Sequence, residues 1–145
     1  MTNSALVEHM KHVLADSYAL YLKTQNYHWN VEGPRFNTLH ALFETQYTDL
    51  AMAIDEIAEH IRGLGAKAPG TWKKYEDLSS ITEGDETLSA DAMLQDLAND
   101  QDKIATTLNK ALKVAQNEDD EVISDALIGR LTVHRKNKWM LESSL

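Results

Sequence analysis

The sequence predicts an all-α fold: a four-helix bundle with a long crossover between helices two and three that contains a short helix. Three observations carry this expectation. Apolar residues recur at three- and four-residue steps over four long stretches. Glycine, proline or clustered acid marks the breaks between them. The second break, residues 66–86, is long enough to span a bundle from end to end.

The first helix is expected over about 4–30, with Leu6, Met10, Val13, Leu14, Leu20 and Tyr21 on its apolar face. Val31-Glu32-Gly33-Pro34 ends it, because proline disfavours helix in the residue before it. The second helix, about 36–64, carries Leu39, Phe43, Gln46, Leu50, Ile54, Ile57, Ile61 and Leu64, and Gly63 and Gly65 stop it. Trp72-Lys73-Lys74-Tyr75 suggests a short helix within the crossover. The third helix, about 89–116, has Ser89 as its cap and Asp91 at the positive end of its dipole. Leu94, Leu97, Ile104, Leu108, Leu112 and Ala115 form its stripe. The fourth helix, about 121–142, starts acidic and has mostly basic last turns, with Val122, Ile123, Leu127, Leu131, Val133 and Leu141 apolar.

The chain of 145 residues is 43% hydrophobic, which fits a single domain over 1–145 burying roughly 68–70% of its unfolded surface. No apolar run approaches a membrane span, and no basic segment precedes an apolar one at the start, so neither a membrane segment nor a signal peptide is expected. Cysteine is absent, which excludes disulfides and thiolate metal sites. Acidic residues number 23 against 14 basic, a net charge of −9. Such a chain favours cations and repels phosphate. The basic clusters, Lys73-Lys74 and Arg135-Lys136 with Lys138, are small, and among the first twelve residues Lys11 is the only fixed positive charge.

The most informative group is His28, His40, Glu44, Asp55 and Glu59. Imidazole nitrogen with carboxylate oxygen suits iron, zinc or manganese. His40 and Glu44 are one helical turn apart, as are Asp55 and Glu59. His28 lies near the end of the first helix and His40 and Glu44 just past the turn, so those three can converge. Asp55 follows Glu44 by eleven residues, or about 16 Å of helix. It reaches the same ion only if a second copy brings it there, as a two-fold interface would. Taken singly, each residue also reads as a cap or a solvated face. The third and fourth helices hold no Glu-x-x-His pair, so an ordinary di-iron site inside the bundle is not expected. His9, His12 and His60 have weaker claims. Trp29 and Trp139 read as core or interface aromatics, and Met10, Met52, Met93 and Met140 as packing. Trp29 has a second possible role, as electron donor beside His28.

The segment Asn26-Tyr27-His28-Trp29-Asn30-Val31-Glu32-Gly33-Pro34-Arg35-Phe36 resembles the signature of the Dps family, the ferritin-like DNA-binding proteins from starved cells. Leu39-His40, Phe43-Glu44, Asp55-Glu56-Ile57-Ala58-Glu59, Arg62-Gly63-Leu64-Gly65 and the run from His134 to Leu141 continue the likeness. The resemblance implies a cytoplasmic, hollow homo-dodecamer. Its ferroxidase centres lie between two-fold-related subunits, with His28, His40 and Glu44 from one and Asp55 and Glu59 from the other. Many relatives have aspartate where this chain has Glu44. The implied chemistry is oxidation of iron(II) by hydrogen peroxide, or more slowly by dioxygen, and storage of ferric mineral. Zinc is an alternative ion for the same ligands. Asp120 and Asp125 are candidates for an acidic iron-entry pore. Strong DNA binding at neutral pH is not expected, because the mobile lysine-rich arm of many relatives has no counterpart here. The alternatives are a non-enzymatic helical shell and a DNA-compacting protein.

Overall fold

The apolar stripes fold inward on one another. In the computed structural model, which describes residues 4–145, the helices are α1 (Ser4–Asn30), α2 (Phe36–Gly63), α3 (Trp72–Leu78), α4 (Ala90–Asn117) and α5 (Glu121–Ser143), with no strand among the described residues. Residues 1–3, on which part of the reading of the amino terminus rests, lie outside the described residues.

Cross-helix pairs fix the topology. His28 meets His40 and Tyr21 meets Tyr47, so α1 and α2 are antiparallel. Tyr27 and Lys23 meet Asp96 and Asp16 meets Thr107, so α1 and α4 are antiparallel too. Hence α2 and α4 run the same way, and the connection between them must travel the length of the bundle. It does so as residues 64–89, with α3 packed against α1. The short turn after Asn117 then returns α5 antiparallel to α4.

The termini follow local chemistry. Ser89 caps α4 by accepting from the Ala92 amide, Thr71 caps α3 through Lys74, and Asp120 caps α5 through Ile123. Gly65 takes the left-handed conformation (φ 92°) just past α2, where a side chain would be strained. The core contains Leu6, Met10, Leu14, Leu20, Phe43, Leu50, Ile61, Leu94, Leu97 and Leu108, all at most 1% exposed.

Some expectations fail at the surface. Val122 is 70% exposed, since the bundle-facing register of α5 is set by Ile123, Leu127, His134 and Leu141. Met52 and Met140 are exposed as well, so the packing reading fails for both within this chain. Trp29 and Trp139 are 61% and 64% exposed, which removes the core reading for both. The last turn of α5 holds no basic residue, because the helix continues past Lys138 to Ser143.

Candidate metal centre

The turn at 31–35 brings the end of α1 against the start of α2 and stacks His28 on His40, ring centroids 3.7 Å apart and 14° from parallel. The two residues exchange backbone contacts. His28 Nδ1 lies 2.7 Å from the His40 carbonyl, and His40 Nδ1 lies 2.6 Å from the His28 carbonyl. A carbonyl can only accept, so both Nδ1 atoms carry hydrogen and donate. In the neutral rings that leaves both Nε2 atoms with free lone pairs, the arrangement a metal-binding imidazole requires. His28 is 5% exposed and held edge-on by Tyr47 at 5.1 Å, while Phe36 stacks on the other face of His40 at 4.8 Å.

Glu44 reaches into this pair. Its Oε1 stands 3.8 Å from His28 Nε2, within the roughly 4.2 Å that two ligand bonds of about 2.1 Å can span across one ion. The glutamate is otherwise exposed. These residues sit together, yet the expected convergence is incomplete. Among the described residues, no group of three or more His, Cys, Asp or Glu side chains is placed to hold an ion. Asp55 and Glu59 are exposed further along α2 and contribute nothing to this cluster within the chain.

Among the described residues, the bundle interior offers no second centre. Lys23, 2% exposed, places its ammonium 2.8 Å from Asp100 and 3.1 Å from Asp96. The protein's own cation thus fills the acidic space between α1 and α4. Burial pushes the Asp100 carboxyl upward, and Lys23 opposes that shift. Between α4 and α5, buried His134 donates from Nδ1 to Gln101 and accepts from Arg130, which also clamps Asp49 on α2. Burial and the Arg130 charge push the His134 imidazole down to about 3, so it is a neutral structural group.

The remaining candidates fall apart. His12 Nδ1 lies 2.9 Å from the Leu78 carbonyl and so ties α1 to the crossover. Asp120 is occupied by its cap on Ile123, while Asp125 is exposed one turn later. Tyr47, which touches His28, was missed by the sequence reading. Its spacing could have revealed it, since it lies one turn beyond Glu44 and two beyond His40.

Known proteins share this arrangement of helices. A ferritin-like domain model matches residues 7–145. DNA protection during starvation protein 2 of Bacillus anthracis is 41% identical over 143 residues, 99% of this chain and 98% of that protein. The crystal structure of Dps from Staphylococcus aureus superposes with a TM-score of 0.95 at 33% identity, covering 99% of this chain and 97% of that one. A Dps protein from Vibrio cholerae O1, described as a member of a broad superfamily of ferritin-like diiron-carboxylate proteins, gives 0.91 at 30% identity over 95% and 87% of the two chains. That superfamily points to iron handling in general. Among the described residues, no helix is long and apolar enough to cross a membrane. On sequence and fold together, the chain belongs to the Dps family of ferritin-like proteins.

Proposed function

We propose that this protein stores and detoxifies iron by oxidising iron(II) at centres shared between two copies. The observation that carries the reading is the reciprocal locking of His28 and His40 through their Nδ1 atoms, which leaves both Nε2 atoms available as ligands, that of His28 facing Glu44. Asp55 and Glu59 of a second copy complete the set, since helix rise keeps this chain's own pair about 16 Å away. Hydrogen peroxide is the proposed oxidant. Two iron(II) ions give one electron each, the O–O bond breaks, and both oxygens leave as water after taking up two protons. Paired delivery avoids hydroxyl radical. Nitrogen and oxygen ligands also accept zinc, which would then compete with iron(II) for the centre.

The protein supplies position and charge. The histidines are oriented before iron arrives, so little ordering is left to accompany binding. A homo-dodecamer of chains each carrying −9 attracts iron(II) at low salt. Asp125 is the stronger candidate for the entry path, because its carboxylate is exposed while Asp120 serves as a cap. The ferric product is stored as mineral inside the shell, and the cytoplasm is the proposed compartment.

A DNA-compacting role is the weaker reading. Lys73 is paired with Asp77 and Lys138 with Asp102, which lowers the field that phosphates would meet. The test is anaerobic iron(II) titration followed by peroxide, in the wild type and in H28A/H40A. Peroxide consumed in proportion to iron(II), and lost in a variant that still assembles, supports the reading. Equal oxidation in both proteins leaves only the non-enzymatic shell.

A further inference from the structure

The chain has five tyrosines, and four of them form a continuous file of rings that begins at the candidate metal centre. His28 meets Tyr47 at 5.1 Å between centroids, and Tyr47 meets Tyr21 at 5.8 Å. Tyr21 meets Tyr18 at 5.9 Å, and Tyr18 stacks on Tyr75 at 4.8 Å. The file passes from α2 to α1 and then to α3 on the crossover. All four residues are half-buried. The fifth tyrosine, Tyr27, is fully buried and gives its hydroxyl hydrogen to Asp96, outside this file. At the far end, on the short surface helix whose Trp72 is 81% exposed, Tyr75 is half-buried and gives its hydroxyl hydrogen to the Pro69 carbonyl.

Tyr21 and Tyr75 pack against the core, but none of the four rings is among the fully buried side chains, and Tyr18 and Tyr47 join the file without being part of that packing. Phenol side chains can give up an electron and a proton together, and successive rings in contact can pass the vacancy along. The chain has no cysteine to intercept it.

We propose that Tyr47, Tyr21, Tyr18 and Tyr75 are a relay that carries one-electron oxidising equivalents from the metal centre to the crossover surface. The proposal rests on the ferroxidase reading above. It concerns a centre holding a single iron(II) when peroxide arrives. Peroxide takes two electrons, and iron(II) gives one. Tyr47 gives the other with its phenol proton; one further proton is taken from solvent. The O–O bond breaks, and iron(III), a tyrosyl radical and two waters result. Tyr21 then gives an electron and proton to Tyr47, Tyr18 to Tyr21, and Tyr75 to Tyr18. At the surface, a small one-electron reductant of the ascorbate class returns the missing electron and proton.

The assembled protein, loaded anaerobically with less than one iron(II) per centre, is mixed with peroxide and freeze-quenched. Electron paramagnetic resonance reads the radical, peptide mapping locates the oxidised residues, and absorbance follows iron(III). In the wild type, a tyrosyl signal appears and oxidation accumulates at Tyr75 and Tyr18 while Tyr27 is spared. Y21F touches neither histidine and keeps the ring. It should hold the radical on Tyr47 and lower oxidation of Tyr75 severalfold, and ascorbate should quench the wild-type signal faster than the Y21F signal. Y75F should stop the radical at Tyr18. Iron(III) formed with no tyrosyl signal, a radical confined to Trp29, equal oxidation of Tyr27, or Tyr75 oxidation unchanged in Y21F overturns the relay and leaves the ferroxidase reading standing. Absence of iron(III) in the wild type overturns both.

Discussion

At the scale of single residues, the centre depends on two histidines that hold each other. Each imidazole donates to the carbonyl of the other residue; the His28 carbonyl lies in the last turn of α1, beyond the helical ladder, so removing the His40 imidazole leaves it unpaired. H40A should therefore cost about 1–3 kcal/mol of stability besides its effect on iron, seen as a lower denaturation midpoint of the iron-free protein. H40Q, which can still donate to the His28 carbonyl, should recover part of the stability but not the iron oxidation. His134 makes a second prediction. Its imidazole titrates near 6.5 when unfolded and is pushed to about 3 by burial in the fold. The folded form binds fewer protons between those values, so this contribution is full above pH 6.5 and is lost as pH falls toward 3. Thermal midpoints of the iron-free protein should fall across that window, and H134Q should show a shallower decline even though it starts lower.

At the scale of elements, the crossover is tied down by one carboxylate. Asp16 on α1 is 1% exposed and accepts from the Ser79 hydroxyl, the Ser80 amide, the Ser80 hydroxyl and the Thr107 hydroxyl. These bonds fasten residues 79–80 to α1 and α4, so a long loop costs little mobility. D16A should cost about 3 kcal/mol and raise amide hydrogen exchange over residues 79–88 well before α1 opens. D16N keeps the shape and loses two acceptor sites, and should fall between. The Lys23–Asp100 pair joins α1 to α4 in the same interior. Replacing Lys23 by Met leaves Asp96 without its cation and Asp100 with only Lys103, 3.9 Å away, and should destabilise by about 3–5 kcal/mol, measured by chemical denaturation.

At the scale of the whole molecule, the proposed sharing of the centre between two copies gives a complementation test. The histidine-deficient H28A/H40A and the acid-deficient D55A/E59A should each be inactive. Co-assembled at equal amounts, they should recover about one quarter of wild-type iron oxidation, because random pairing completes that share of two-fold sites. Zero recovery from mixed assemblies would show that all five ligands act within one chain. Exposed Trp29, Met52, Trp139 and Met140 are consistent with surfaces that neighbouring copies cover.

Periodicity alone placed all four long helices to within a residue or two, because each stripe is long and its breaks are chemically sharp. It also paired His40 with Glu44 and separated them from Asp55, since helix rise is a local property. It misplaced Val122 and gave the wrong environment to Met52 and Met140, because an apolar residue does not state which partner covers it. Only packing decided that each histidine's Nδ1 meets the other's carbonyl, that Lys23 fills the acidic interior, and that four tyrosines separated in sequence stand in file. Those relations join residues on different helices, and no spacing along one chain encodes the distance between them.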